Sequence, residues 1–226
     1  MTEPIERGTR LVVADMAGTT VVDDGLVVRA FREAFAAIGV EPTTEQQELV
    51  RATMGRSKIE VFTELLGDAA RAARANQAFE AACSAHIDAG EVIAVAGVEE
   101  VFARLRSAGI AVWLTTGFSA ATQDHLVERL GWHDLVDGWL SPSSQWRGRP
   151  HPDLVWVAAL RAQVDDIRAV AVVGDTANDL ESGWRAGAGV LVGVLTGAHD
   201  RPTLERAPHT AILASIRELP GLLRPA

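Results

Sequence analysis

The sequence predicts an α/β fold: a doubly wound parallel-sheet core domain with an inserted helical cap domain. Three observations point to it. Short β-branched apolar runs alternate with amphipathic helical segments, one interval between two runs is long and almost wholly helical, and small polar residues follow several of the runs. The first run, Leu11 to Asp15 (LVVAD), is nearly continuous in apolar side chains and ends in a carboxylate before Gly18-Thr19-Thr20, as a strand buried on both faces should. Comparable runs lie at Ile110 to Thr115, Val170 to Gly174 and Val190 to Leu195, with a weaker one at Gly138 to Ser141. Helical segments such as Val98 to Ser107 and Asp153 to Ala162 separate them, and this alternation is the signature of a parallel sheet covered on both sides.

The first two runs stand about ninety residues apart, whereas a simple strand-helix-strand unit needs roughly 30. Leu26 to Ile38, Thr44 to Thr53, Lys58 to Leu66 and the alanine-rich Ala69 to Ala89 all read as helices in that interval. With boundaries near Asp24 and Gly97, residues 24–96 form the cap and residues 1–23 and 97–226 the core. An insertion after the first strand overhangs the carboxyl ends of the sheet, where open α/β folds bind ligands, so it can act as a lid.

Bulk properties narrow the function. The 226 residues are 48% hydrophobic and 23% charged, enough for a substantial core. Twenty-one basic against 30 acidic residues give a net charge of -9, which argues against nucleic acid or an anionic membrane as partner. Cys83 is a lone cysteine, and the polar stretch Met1 to Arg10 lacks the build of a signal peptide. No apolar run approaches the roughly 20 residues that span a bilayer. A cytoplasmic protein is expected. The six tryptophans, Trp113, Trp132, Trp139, Trp146, Trp156 and Trp184, read mostly as core or subunit contacts.

Four strand ends carry the chemistry. Asp15-Met16-Ala17-Gly18-Thr19-Thr20 sets a carboxylate beside a glycine and two hydroxyls, which suits nucleophilic attack on phosphorus with a metal nearby. Thr115-Thr116-Gly117 precedes Ser119 and a helical segment, so hydroxyls and amides can meet phosphate oxygens at a helix start. Arg147-Gly148-Arg149-Pro150 offers a fixed cation for a phosphoryl group. Gly174-Asp175-Thr176-Ala177-Asn178-Asp179 places two carboxylates four residues apart after a buried strand, oxygen ligands of the kind magnesium takes. Each pattern alone also fits a helix cap or a solvated loop. Together with Asp15 the two acids make a three-carboxylate pocket that calls for a cation.

In this order the four motifs resemble the haloacid dehalogenase superfamily over nearly the whole chain. Asp15-Met16-Ala17-Gly18-Thr19-Thr20 resembles the DxAGTT signature of the phosphonoacetaldehyde hydrolases (phosphonatases) and their phosphonatase-like relatives, with Ala17 where most phosphatases of the superfamily carry a second aspartate. Arg149 matches the arginine that replaces the usual lysine in that branch, and Met54-Gly55-Arg56-Ser57-Lys58 matches its cap-domain Met-Gly-x-x-Lys. The resemblance implies Mg2+ as cofactor, held by Asp15, the Ala17 carbonyl, Asp175 and Asp179. It further implies Asp15, Lys58, Thr116 and Arg149 as catalytic residues, Gly18, Thr19, Met54 and Gly117 at the substrate, and a homodimer. From the residues themselves, Ser57-x-x-Glu60 reads as a capping box that starts a helix at Lys58, where the helix dipole disfavours a cation and lowers its pKa.

Cleavage of a carbon–phosphorus bond through a Lys58 Schiff base needs no acid at Ala17, because a protonated imine accepts the departing electrons. The favoured substrates are therefore phosphonoacetaldehyde or a related 2-oxoalkylphosphonate. Val61, Phe118 and Leu26 stand where the resembled enzymes carry histidine, tyrosine and cysteine, which is compatible with a less polar substrate. Two alternatives stay open: a magnesium-dependent phosphomonoester phosphatase of the same fold acting on a small metabolite, and a phosphate-binding protein without turnover.

Overall fold

The computed structural model describes residues 8–225; most of the polar start, residues 1–7, lies outside the described residues. Six parallel strands form the main sheet: β2 (Leu11–Asp15), β3 (Ala111–Thr115), β4 (Gly138–Leu140), β5 (Val170–Gly174), β6 (Val190–Val194) and β7 (Ala211–Leu213), in the order β4-β3-β2-β5-β6-β7. A separate pair, β1 (Gly8–Thr9) and β8 (Arg224–Pro225), joins the two ends of the described chain. From β2 the chain winds outward through β3 and β4, then returns to β5 on the other side of β2 and winds away again. The strand order thus reverses between β2 and β5, and a crevice opens there beyond the carboxyl ends. Asp15 ends β2 and Asp175 directly follows β5, which brings residues 160 positions apart to the two lips of that crevice.

The strands are buried on both faces, which explains their unbroken apolar runs. Val12, Ala14, Val173 and Val192 enter one hydrophobic cluster, while their neighbours Leu11, Val13, Val172 and Leu191 enter the other, following the two-residue period of a pleated strand. Helices α7 (Asp153–Arg161) and α8 (Ala177–Ala186) cover the second face; α5 (Val98–Ser107) and α6 (Ala120–Leu130) cover the first. Two short helices, α9 (Arg201–Arg206) and α10 (Leu219–Leu222), complete the periphery.

Between β2 and α5 lie α1 (Leu26–Ala37), α2 (Thr44–Ala52), α3 (Lys58–Leu66) and α4 (Ala69–Asp88), each within a residue of its expected ends. Their interior is aromatic. Phe62 is fully buried, with its ring centroid 4.8 Å from Phe31, 5.9 Å from Phe35 and 6.0 Å from Phe79. Phe79 of α4 stacks at 6.1 Å on Phe118, which follows β3, so a single apolar cluster runs from the sheet into the insertion. Three-residue β7 escaped the periodicity reading because so short a run carries no period. Among the tryptophans, Trp113 and Trp132 are buried but Trp156 and Trp184 are exposed; α7 and α8 bury one stripe each, and these two side chains fall off it. No helix among the described residues is long and apolar enough to cross a membrane.

Truncating the centre of the aromatic cluster removes a side chain that nothing can replace. Phe62→Ala is expected to cost about 3–5 kcal/mol, read as a lower urea midpoint at unchanged slope.

Candidate active site

The loop after β2 is wound around the Met16 carbonyl, which accepts the N–H groups of Thr19, Thr20 and Val21 at 2.8–3.1 Å. Gly18 makes this turn possible with φ +83°. A Cβ there would also lie 2.5 Å from Asp175 Oδ2, so the glycine lets the two acidic loops approach. Thr19 Oγ1 donates to Asp175 Oδ1 at 3.2 Å, and Thr20 Oγ1 to the Asp15 carbonyl at 2.9 Å. These threonines hold the acids; neither Gly18 nor Thr19 lines the pocket itself.

Asp15, Asp175 and Asp179 are all buried, and each presents a carboxylate oxygen within 4.8 Å of the others. Charge repulsion in a dry pocket is balanced by Arg149, 3% exposed, whose Nη1 bridges Asp15 Oδ1 at 2.6 Å and Asp179 Oδ1. Its Nε and Nη2 are buried and have no hydrogen-bond partner among the described residues. Two orphaned donors on one planar fork match two oxygens of an anion, and leaving them unsatisfied is costly. Asp179 has both oxygens engaged, since Oδ2 also accepts from the Thr176 backbone and hydroxyl in a capping box at the start of α8. Asp175 is likewise held at both oxygens, Oδ1 by Thr19 and Oδ2 by the Ala198 N–H at 2.7 Å, but by neutral donors. Burial, and then the charge of Asp15, push its carboxyl up to about 7, the sign of an acid awaiting a cation.

The insertion meets this floor along a narrow seam. Lys58 N–H donates to the Gly117 carbonyl at 3.2 Å, and Asn178 Nδ2 to the Met54 carbonyl at 2.7 Å. A Cβ on Gly117 would collide with the Arg56 carbonyl, and one on Gly55 would lie 2.7 Å from Thr176 Oγ1. Ser57 is the N-cap of α3, as the spacing implies, but its side chain makes no capping bond. The capping box is therefore absent: Ser57 is buried against Gly148, while the Gly117 carbonyl accepts a different orphan donor, the first N–H of the helix, from Lys58.

Lys58 is buried within this seam. Among the described residues its Nζ has one hydrogen bond, a long one of 3.4 Å to the Arg56 carbonyl, and lies 5.7 and 5.8 Å from the rings of Phe118 and Phe31. Burial first, and Arg149 second, pull the ammonium down to about 8 against the opposing charges of Asp15, Cys83 and Asp23. Desolvation, not the helix dipole alone, is the main cause.

One pocket gathers Asp15, Ala17, Met54, Lys58, Thr116, Gly117, Arg149 and Asp175, so most of the residues singled out from the sequence share it. Three more wall residues belong to no motif picked out from the sequence: Asp23, Val27 and Ala198. Ala198 belongs to the loop after β6, where Thr196 Oγ1 donates to the Gly18 carbonyl at 2.6 Å and His199 Nδ1 accepts the Ala177 N–H at 3.0 Å. The position of that loop at a strand's carboxyl end was the available signal.

A family model for haloacid dehalogenase-like hydrolases matches residues 9–187, and the chain belongs to that family: it is a hydrolase of the kind that uses an aspartate nucleophile. Within the family it is similar to phosphonoacetaldehyde hydrolases. That of Bacillus cereus is 29% identical over 225 residues, 92% of this chain and 83% of the relative; that of Syntrophobacter fumaroxidans is 30% identical over 205 residues, 82% and 72%. The fold is shared with a phosphonoacetaldehyde hydrolase-like protein from Oleispira antarctica, with a TM-score of 0.81 at 23% identity over 97% of this chain and 92% of that one.

The seam sets a test. Gly117→Ala drives a methyl group into the Arg56 carbonyl and is expected to cost about 1–3 kcal/mol as overpacking, measured by thermal unfolding. Gly131→Ala fills open space but is strained by its own φ of +70°; a loss larger than that of this control marks the clash.

Proposed function

We propose that the protein is a phosphonatase-like hydrolase that cleaves the carbon–phosphorus bond of phosphonoacetaldehyde or a related 2-oxoalkylphosphonate. The carrying observation is the buried Lys58 amine, with its pKa at about 8, in the same pocket as Asp15 and the half-unpaired Arg149. An amine that only bound phosphate would gain nothing from losing its charge. At pH 7 about a tenth of Lys58 is neutral, against roughly three in ten thousand of a lysine at 10.5, and the neutral amine is the nucleophile toward an aldehyde.

Lys58 condenses with the carbonyl to give a protonated imine. The Asp15 carboxylate then forms an oxygen–phosphorus bond as the carbon–phosphorus bond breaks, and that bond's electrons pass to the imine, leaving an enamine. Arg149 fixes Asp15 through Oδ1 and offers Nε and Nη2 to the phosphoryl oxygens, while the Thr116–Gly117 turn stands opposite at the start of α6. Water later releases phosphate from Asp15, and, after the enamine gains a proton on carbon, aldehyde from Lys58.

The donor set fits magnesium: hard carboxylate oxygens, one of them on Asp175 with an elevated proton affinity that a cation relieves. Asp15, the Ala17 carbonyl and Asp175 would hold it directly. Asp179, whose Oδ1 is taken by the Arg149 cation, would act through water or by steadying Arg149. The ion's chemistry is neutralisation of charge on the phosphoryl group. The protein is further proposed to act in the cytoplasm, as a homodimer, on a small substrate.

The decisive experiment is incubation with phosphonoacetaldehyde and magnesium, following acetaldehyde and phosphate. Release by the native protein, abolished in Lys58→Arg and Asp15→Asn, is expected. Hydrolysis of simple phosphate esters with Lys58 dispensable, and no acetaldehyde, sinks the Schiff-base reading in favour of the phosphatase. Because only the neutral amine is nucleophilic, acylation of Lys58 by an amine-reactive ester should speed up with pH through about 8 and level off above it; a rate still climbing steeply above about pH 9 contradicts the lowered pKa. Asp175→Asn should weaken magnesium binding at least about tenfold, read by titration calorimetry.

A further inference from the structure

Imine formation moves protons as well as carbon: the ammonium must give one up, and the carbonyl oxygen must leave as water. Few groups near Lys58 can carry them. Asp15 is tied to Arg149, and Asp175 is held by Thr19 and Ala198. Cys83, whose thiol is pushed up to about 12 by burial, cannot accept a proton near neutrality. Val61 and Phe118, which pack nearby, have no exchangeable proton to give.

Asp23 remains. It lies between the β2 loop and α1, and borders three spaces at once: the pocket of Lys58 and Asp15, an apolar recess behind Phe118, and the outer cleft that reaches Arg51 and His199. Its negative charge acts on Lys58 and on Cys83. Among the described residues its side chain makes one hydrogen bond, accepting the Val27 N–H at Oδ1 over 3.4 Å. That bond steadies the first turn of α1, whose N-cap Gly25 has no side chain to do so, but it is too long to be strong and leaves Oδ2 uncommitted.

We propose that Asp23 is the proton-transfer residue for imine formation at Lys58, an assignment that rests on the Schiff-base reading above. The Asp23 carboxylate takes one proton from the Lys58 ammonium. The freed Nζ lone pair forms the nitrogen–carbon bond as the carbonyl π electrons move to oxygen, and that oxygen receives a second proton from nitrogen. Asp23 then returns its proton to the resulting hydroxyl; the carbon–oxygen bond breaks, water leaves, and a protonated imine faces a carboxylate. The pair starts as ammonium and carboxylate and ends as iminium and carboxylate, so no outside acid is consumed. By reversal, Asp23 activates the water that hydrolyses the product imine.

The test traps the imine itself. Native protein, Asp23→Asn and Asp23→Glu are mixed with phosphonoacetaldehyde in magnesium-free buffer containing chelator, quenched with borohydride at increasing times, and the reduced adduct on the Lys58 peptide is quantified by mass spectrometry. Asp23→Asn keeps an oxygen for the Val27 N–H and is expected to slow labelling about 10²-fold, with Asp23→Glu labelling faster than it and added formate restoring part of the rate. Loss of charge alone would ease deprotonation of Lys58 and speed labelling, so slowing identifies proton transfer. Labelling of Asp23→Asn at the native rate or faster overturns the role of Asp23 and leaves the Schiff base standing. No labelling of Lys58 in the native protein overturns the Schiff-base reading, and this assignment with it.

Discussion

Three carboxylates within 4.8 Å of one another in a dry crevice repel strongly, and Arg149 is the resident charge that lets them stay. Much of the surrounding architecture serves that balance. The reversal of strand order between β2 and β5 creates the crevice, glycine at position 18 lets its two lips close, and the capping box of α8 pins Asp179 to hold the arginine. A buried arginine with one donor nitrogen spent on acids and two left over is only half compensated. Its remaining capacity is what the proposed reaction assigns to the phosphoryl oxygens.

The insertion adds a second kind of chemistry to this phosphoryl floor. Burying Lys58 among Phe31, Phe118 and the peptide groups of the seam costs solvation, and that cost lowers the charge-holding power of its amine, the property the proposed Schiff-base chemistry uses. The nearby Arg149 works in the same direction. One cation thus has two effects: it steadies the carboxylates and it disfavours a second cation on Lys58.

Most of the sheet could be read from the chain because buried parallel strands leave continuous apolar runs, and the acids and Arg149 could be read because they fall at strand ends in a fixed order. Lys58 was visible through its match to a known pattern and its place at a helix start. Its depressed pKa was anticipated for an incomplete reason, since burial depends on Phe31 and Phe118, distant in sequence. Asp23 and Ala198 were illegible for the same cause: neither sits in a motif, and each becomes part of the site only when separate segments are folded against it. The failure of Ser57 to cap α3 is likewise tertiary, because its side chain is buried against Gly148, a residue far away in sequence.

The seam between insertion and sheet is built largely from main-chain groups and glycines: the Lys58 N–H on the Gly117 carbonyl, the Met54 carbonyl on Asn178, and Gly55 against Thr176. Main-chain partners survive substitution of the side chains beside them. Neither the Val61 nor the Leu26 side chain takes part in these contacts, which bring Lys58 and Asp15 into one pocket. On the proposed mechanism, pocket walls built on such a seam can vary in what they accept while the main chain keeps Lys58 and Asp15 in one pocket, an arrangement that favours diversification of specificity at constant chemistry.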